Sequence, residues 1–154
     1  MASLSQLLTP DRTVCYRDIS SQKRVFEHAA KLIAKQFPAL SEDEVFSQLL
    51  AREKLGSTGL SGGVALPHCR VEAVESPIGC LMTLEQGVDL DAPDGRLVDL
   101  LFFLLVPVEA HQLHLDILAT LARRFSNIDW CQRLREARQD QELYRLAIGE
   151  DGAA

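Results

Sequence analysis

Val98-Asp99-Leu100-Leu101-Phe102-Phe103-Leu104-Leu105-Val106 is apolar along nearly all its length, with Asp99 its single charge. A run without hydrophobic alternation reads as a strand covered on both faces, in the middle of a sheet. Its apolar stretch, Leu100 to Val106, falls far short of the ~20 residues of a membrane span. Pro93-Asp94-Gly95 supplies a turn before it and Pro107 ends it.

Working outward, Ile78 to Leu84 reads as a second strand, Val64 to Leu66 as a short one, and Thr13 to Tyr16 as the first of the chain, after a short apolar start at Leu4, Leu7 and Leu8. Ser20 or Ser21 caps a helix in which Val25, Phe26, Ala29, Leu32 and Ile33 share a face, and Pro38 marks its end. Ser41 with Glu44 is a capping-box signature opening a second helix, through Val45, Phe46, Leu49 and Leu50 to Lys54, with Gly56 as the stop. From His111 the helical period returns, with Leu115, Leu118, Ala119, Ala122 and Phe125 on one face. Two shorter helices follow, Trp130 to Ala137 and Gln141 to Ile148, and residues 149–154 are expected to fray. Two helices, a run of strands and helices again imply a mixed sheet with helices on its faces.

The chain has 154 residues, 47% hydrophobic and 25% charged, which predicts one globular domain over 1–154 with a sizeable core. A net charge of −6 gives no positive field to draw nucleic acid or an anionic membrane, so neither is an expected partner. The N-terminus has no basic region followed by a sustained apolar run. Cys15, Cys69, Cys80 and Cys131 form no CxxC pair, which suits free thiols in a reducing compartment. A cytoplasmic location is expected.

The chemistry concentrates in Gly56-Ser57-Thr58-Gly59-Leu60-Ser61-Gly62-Gly63-Val64-Ala65-Leu66-Pro67-His68. This glycine- and hydroxyl-rich loop feeds a short strand that delivers one imidazole at its end. A neutral imidazole nitrogen is a good nucleophile toward phosphorus, and the loop offers N–H groups and hydroxyls to phosphoryl oxygens.

Arg52-Glu53-Lys54-Leu55-Gly56-Ser57-Thr58-Gly59, Ala65-Leu66-Pro67-His68, the Asp-Gly turn before Val98-Asp99-Leu100-Leu101-Phe102, Leu105-Val106-Pro107 and His114-Leu115 resemble the IIA proteins of the phosphoenolpyruvate-dependent phosphotransferase system, the nitrogen-regulatory type above all. The resemblance runs from about Ser20 to Ile148. It implies an α/β (α+β) sandwich with a mixed sheet of about five strands flanked by helices. It also implies that His68 accepts a phosphoryl group on Nε2 from an HPr-like (NPr) phosphocarrier protein. His114 would support it, Arg52 would neutralise charge, and Ser57, Thr58 and Gly59 would bind the phosphoryl group. The implied output is regulation of target proteins such as potassium-handling or sensor proteins. The alternative is a fructose- or mannitol-type component passing the group to a IIB partner. Ser61-Gly62-Gly63 departs from the Gly-Asn-Gly frequent in such proteins, and Cys69 stands where glycine is more usual.

Rival uses of these residues are weaker. His111 and His114 have helical spacing for two metal ligands, with His68, Cys69 and Cys80 as completions, but no clear third and fourth ligand emerges and no metal is expected. Cys69 as a nucleophile would need a lowered pKa, and a small half-buried cysteine is the plainer reading. His28 reads as structural or solvated. No Walker loop or Mg²⁺-binding carboxylate cluster is evident, so ATP is not the expected donor and no cofactor is expected.

Overall fold

The computed structural model describes residues 3–109 and 111–153, with the side chains of 3–109 and 111–149. In chain order the elements are α1 (Leu4–Leu7), β1 (Thr13–Arg17), α2 (Gln22–Gln36), α3 (Glu42–Leu55), β2 (Val64–Ala65), β3 (His68–Arg70), β4 (Ile78–Val88), β5 (Val98–Val106), α4 (His111–Phe125), α5 (Ile128–Glu136) and α6 (Asp140–Ala153). β5 pairs antiparallel with β4 on one side and parallel with β2 and β3 on the other. β1 runs parallel to β4 at the far edge of this mixed five-stranded sheet.

The lack of alternation in β5 has a direct cause: both of its faces are buried. Leu101, Phe103 and Leu105 enter a core shared with Val25, Phe26, Ala29 and Ile33 of α2 and Val45 and Leu49 of α3. Leu100, Phe102, Leu104 and Val106 enter a second core with α1, Ile117 and Leu121 of α4, Trp130 and Leu134 of α5, and Leu143 of α6. Each such side chain contributes about 1.5–3 kcal/mol by leaving water. Gly79 of β4 is needed where it lies, because a Cβ there would come within 2.6 Å of the Phe102 ring.

Ser21 Oγ accepts from Arg24 N as the sequence predicts, and Ser41 Oγ accepts from Glu44 N, the Ser41 half of the capping box expected there. Two features differ from expectation, and the apolar start, which the sequence left unassigned, takes shape. The apolar start is a helical turn, α1, whose entry is fixed by Ser3 N–H donating to Gln6 Oε1 at 2.9 Å. His68 does not end the Val64 strand; it opens the separate strand β3. Pro67 has no N–H for a ladder, so pairing breaks there, while its carbonyl still accepts from Leu104 N. The last helix runs on to Ala153 over most of the tail expected to fray, since a helix packed through Leu143 and Ala147 elongates at little cost per added residue. Ala154 lies outside the described residues. Among the described residues no helix is long and apolar enough to cross a membrane.

Candidate phosphoryl-accepting site

β3 pairs with the C-terminal half of β5, placing His68 opposite Leu104, and the chain leaves β5 through Pro107 to start α4 at His111. His114, in the first turn of α4, therefore comes back to the start of β3. The two rings meet edge to face, with centroids 5.2 Å apart and planes at 68°. The last turn of α3 carries Arg52 to the same corner, where its Nη1 donates to the carbonyl of Gly56 at 2.9 Å. The structure thus brings His68, His114 and Arg52 together.

His68 is half-buried, and its Nδ1 lies 2.7 Å from the carbonyl oxygen of Leu66. A carbonyl only accepts, so Nδ1 carries the proton and Nε2 keeps its lone pair. Burial lowers the His68 pKa below the ordinary histidine value and Arg52 acts the same way, against the bond to Leu66 and the charge of Glu53. The ring is neutral at pH 7. His114 is buried, and both of its ring nitrogens lack a hydrogen-bond partner. Burial, followed by the charges of His68, Arg70, Arg52 and His111, brings its pKa down to about 4.

The loop between α3 and β2 is held from inside. Ser57 Oγ donates to the carbonyl of Leu90 and accepts from Gly59 N, while Thr58 donates both its N–H and its hydroxyl to the carboxylate of Glu53. The groups of Ser57, Thr58 and Gly59 that were expected to serve phosphoryl oxygens are therefore engaged in the loop's own scaffold. Further along, Arg135 of α5 donates from Nη2 to Gly62 O at 2.6 Å and from Nε to Asp99 at 2.9 Å. Asp94 accepts from Gly62 N.

Glu53 and Arg135 are the site residues that sequence reasoning passed over. Glu53 left a signal: it follows Val45 and Leu49 at four-residue steps, a carboxylate prolonging an apolar stripe. Arg135 left none, since it sits 36 residues from its partner Asp99 in the sequence.

The rival constellations do not assemble. Among the described residues no group of three or more His, Cys, Asp or Glu side chains could hold a metal ion. Cys69 points into the core opposite to His68 along β3, and burial pushes its thiol up to about 12. His28 lies on α2, with burial and then Arg17 and Lys31 lowering its pKa. Leu66 is buried; the exposed apolar side chains nearest the site in the chain are Leu55, Val108, Leu113 and Leu115.

Residues 6–148 match the family described as phosphoenolpyruvate-dependent sugar phosphotransferase system, EIIA 2. The chain is 43% identical over 148 residues to a nitrogen regulatory protein of Pseudomonas aeruginosa, covering 96% of each. It is 35% identical over 101 residues, 66% of each chain, to the fructose-specific EIIA component of a phosphotransferase system in Haloferax volcanii. The crystal structure of nitrogen regulatory protein IIA-Ntr from Neisseria meningitidis superposes with a TM-score of 0.85 at 38% identity, covering 94% of this chain and 98% of that one.

Proposed function

The chain belongs to the EIIA 2 family of the phosphoenolpyruvate-dependent sugar phosphotransferase system, and on that premise we propose that it accepts a phosphoryl group on His68 Nε2 from a histidine-containing phosphocarrier protein and regulates partner proteins by its phosphorylation state. The observation that carries this reading is the 2.7 Å bond from His68 Nδ1–H to Leu66 O, which leaves Nε2 as the free nucleophile of a neutral ring. As Nε2 bonds to phosphorus, the donor's P–N bond breaks and its electron pair returns to the donor imidazole. The Nδ1 proton stays on His68. The positive charge that grows on the ring strengthens its bond to the Leu66 carbonyl, an interaction stronger in the transition state than before it.

Little other covalent chemistry is needed, because phosphoryl transfer rests on in-line positioning and on neutralising the equatorial oxygens. Arg52 supplies the fixed charge. His114, neutral and without a partner, has a donor to offer a phosphoryl oxygen. Ser57, Thr58 and Gly59 shape the loop around it. The transferred group adds about two negative charges and new acceptors, enough to change which surface a partner binds.

The donor under this reading is an HPr-like (NPr) carrier, and the targets are regulatory partners such as potassium-handling or sensor proteins in the cytoplasm. Likeness to a fructose-specific component supports the second reading, onward transfer to a sugar-specific IIB. Incubation with phosphoenolpyruvate, enzyme I and the carrier protein should add about 80 Da, one phosphoryl group, to the wild type and nothing to His68→Ala. A gain that persists in the variant assigns the nucleophile elsewhere. Loss of the label to a cognate IIB would favour the sugar branch.

A further inference from the structure

Glu53 is a carboxylate with only 7% of its surface exposed, on the last turn of α3, yet its partner is no cation. Oε2 accepts the backbone N–H of Thr58 at 2.9 Å and Oε1 accepts the Thr58 hydroxyl at 2.7 Å. The bonds continue. The carbonyl of Thr58 accepts from Leu66 N at 3.1 Å, and the carbonyl of Leu66 faces His68 Nδ1 at 2.7 Å. Between them, Gly59 and Ala65 form an antiparallel bridge and Leu60 N donates to Val64 O at 2.7 Å, so the two peptides of the chain are fixed to each other.

We infer that Glu53 is a positioning residue for phosphoryl transfer, acting through Thr58 and Leu66 to hold His68 in the tautomer and orientation that expose Nε2.

Two converging donors suit a carboxylate: both oxygens accept, whereas an amide keeps one acceptor and makes the Thr58 hydroxyl turn to accept from its NH₂ group. The N–H and C=O used at Thr58, and again at Leu66, belong to successive peptide units, so the link acts by position: Glu53 fixes Thr58, Thr58 fixes Leu66, and the Leu66 carbonyl is held where the Nδ1 proton of His68 points. The tautomer of a histidine is set by the bond its other nitrogen makes. Because Glu53 touches neither ring nor phosphoryl group, its effect appears in the state of His68, not in carrier affinity.

This rests on the assignment of His68 as acceptor, so the test reads the tautomer before any phosphorylation. In ¹⁵N-labelled protein the wild-type His68 ring should be a single Nδ1–H tautomer. Glu53→Gln and Thr58→Val should each give a mixture of the two tautomers. They should slow transfer from the carrier roughly 10- to 100-fold with an unchanged KM, the effect expected of a slightly misplaced reacting group. Thr58→Ser, which keeps the hydroxyl, should restore both. If Glu53→Gln does not fold, the Thr58 pair reads the same chain of bonds. A His68 ring that stays in the Nδ1–H tautomer in Thr58→Val overturns the inference, whatever the transfer rate. A wild type that takes up no phosphoryl group on His68 overturns the functional reading instead, and leaves the tautomer result to be judged alone.

Discussion

The rings of His68 and His114 lie edge to face at 5.2 Å, yet only His68 has a hydrogen-bond partner. A buried polar group left without a partner costs roughly 1–3 kcal/mol, and His114 carries two. Such a pair is a stability defect placed beside the proposed acceptor. An arriving phosphoryl oxygen would supply the missing bond.

Replacement of His114 by leucine should therefore separate stability from function. His114→Leu removes both unbonded nitrogens at nearly constant volume and is expected to raise the urea midpoint by an amount corresponding to about 1–3 kcal/mol. The same variant should slow transfer from the carrier by roughly 10- to 100-fold, because a donor to the phosphoryl group is gone. Stopped-flow transfer at the wild-type rate would remove His114 from the site chemistry.

The pH dependence of stability follows from the same residue. The unfolded His114 titrates near the ordinary histidine value of 6.5 and the folded one at about 4, with burial the main cause. Above 6.5 both states are neutral and nothing changes. As pH falls from 6.5 toward 4 the unfolded state binds a proton that the native state does not, so stability is lost, by up to about 3 kcal/mol for this one group, with no further loss below 4. Urea titrations at pH 7.5 and pH 4.5 should show a larger drop for the wild type than for His114→Leu. Equal drops would contradict the assignment. Any loss of transfer on acidification should set in at a lower pH than an ordinary histidine would give, because burial lowers the His68 pKa too.

Arg52 holds one backbone carbonyl at an exposed position, so its replacement should change stability by no more than about 1 kcal/mol. Arg52→Gln should nonetheless slow transfer by roughly 10- to 100-fold through lost neutralisation, and Arg52→Lys by less, since the charge is kept although an ammonium cannot reproduce the planar fork. A normal rate for Arg52→Gln at several salt concentrations would return Arg52 to the role of a surface cation at a helix C-terminus.

The sheet was legible because β5 buries both faces, which erases alternation, and the first two long helices because Ser21 and Ser41 accept at their N-termini. The separation of β2 from β3 was not, because a two-residue strand carries no period, and the Pro67 break is visible only once β5 is in place. Within the site, the convergence of His68, His114 and Arg52 came from resemblance; spacing alone could not bring residue 114 back to residue 68. The partners these hydroxyls have in the fold were not legible, for a physical reason. Loop polarity in a sequence does not distinguish donors turned to a ligand from donors turned inward, and here Ser57 and Thr58 turn inward, to Leu90 and Glu53.

Cys69, adjacent to the proposed acceptor, should be inert. It is buried on the core face of β3 and its thiol is raised to about 12, and all four cysteines are free and buried. Native protein at pH 8 should react with a thiol reagent only as fast as it opens, with all four thiols appearing upon unfolding. Fast labelling of Cys69 in the native state, with transfer lost in parallel, would reopen the thiol reading.

Two neighbouring glycines test how the loop before β2 is held. Gly62 and Gly63 both adopt positive φ, 81° and 79°, so an alanine at either is strained. The backbone term alone is about 1–2 kcal/mol. Their surroundings differ: a Cβ on Gly62 meets nothing within 4 Å, whereas one on Gly63 would lie 3.0 Å from Arg135 Nη2 and 3.3 Å from both Asp99 Oδ1 and the carbonyl of Leu97. Arg135 cannot simply withdraw, since it is bonded to Gly62 O and Asp99, and the Gly63 carbonyl also accepts from Asp99 N and Leu100 N. Gly62→Ala is therefore expected to lose only the backbone term, and Gly63→Ala that term plus displacement of the clamp, about 2–4 kcal/mol in all. In Arg135→Ala the gap between the two substitutions should shrink, because the atom that a Gly63 Cβ meets first is gone. Equal losses in the wild-type background, or a gap that Arg135→Ala leaves untouched, would show that the arginine does not constrain the loop leading to His68.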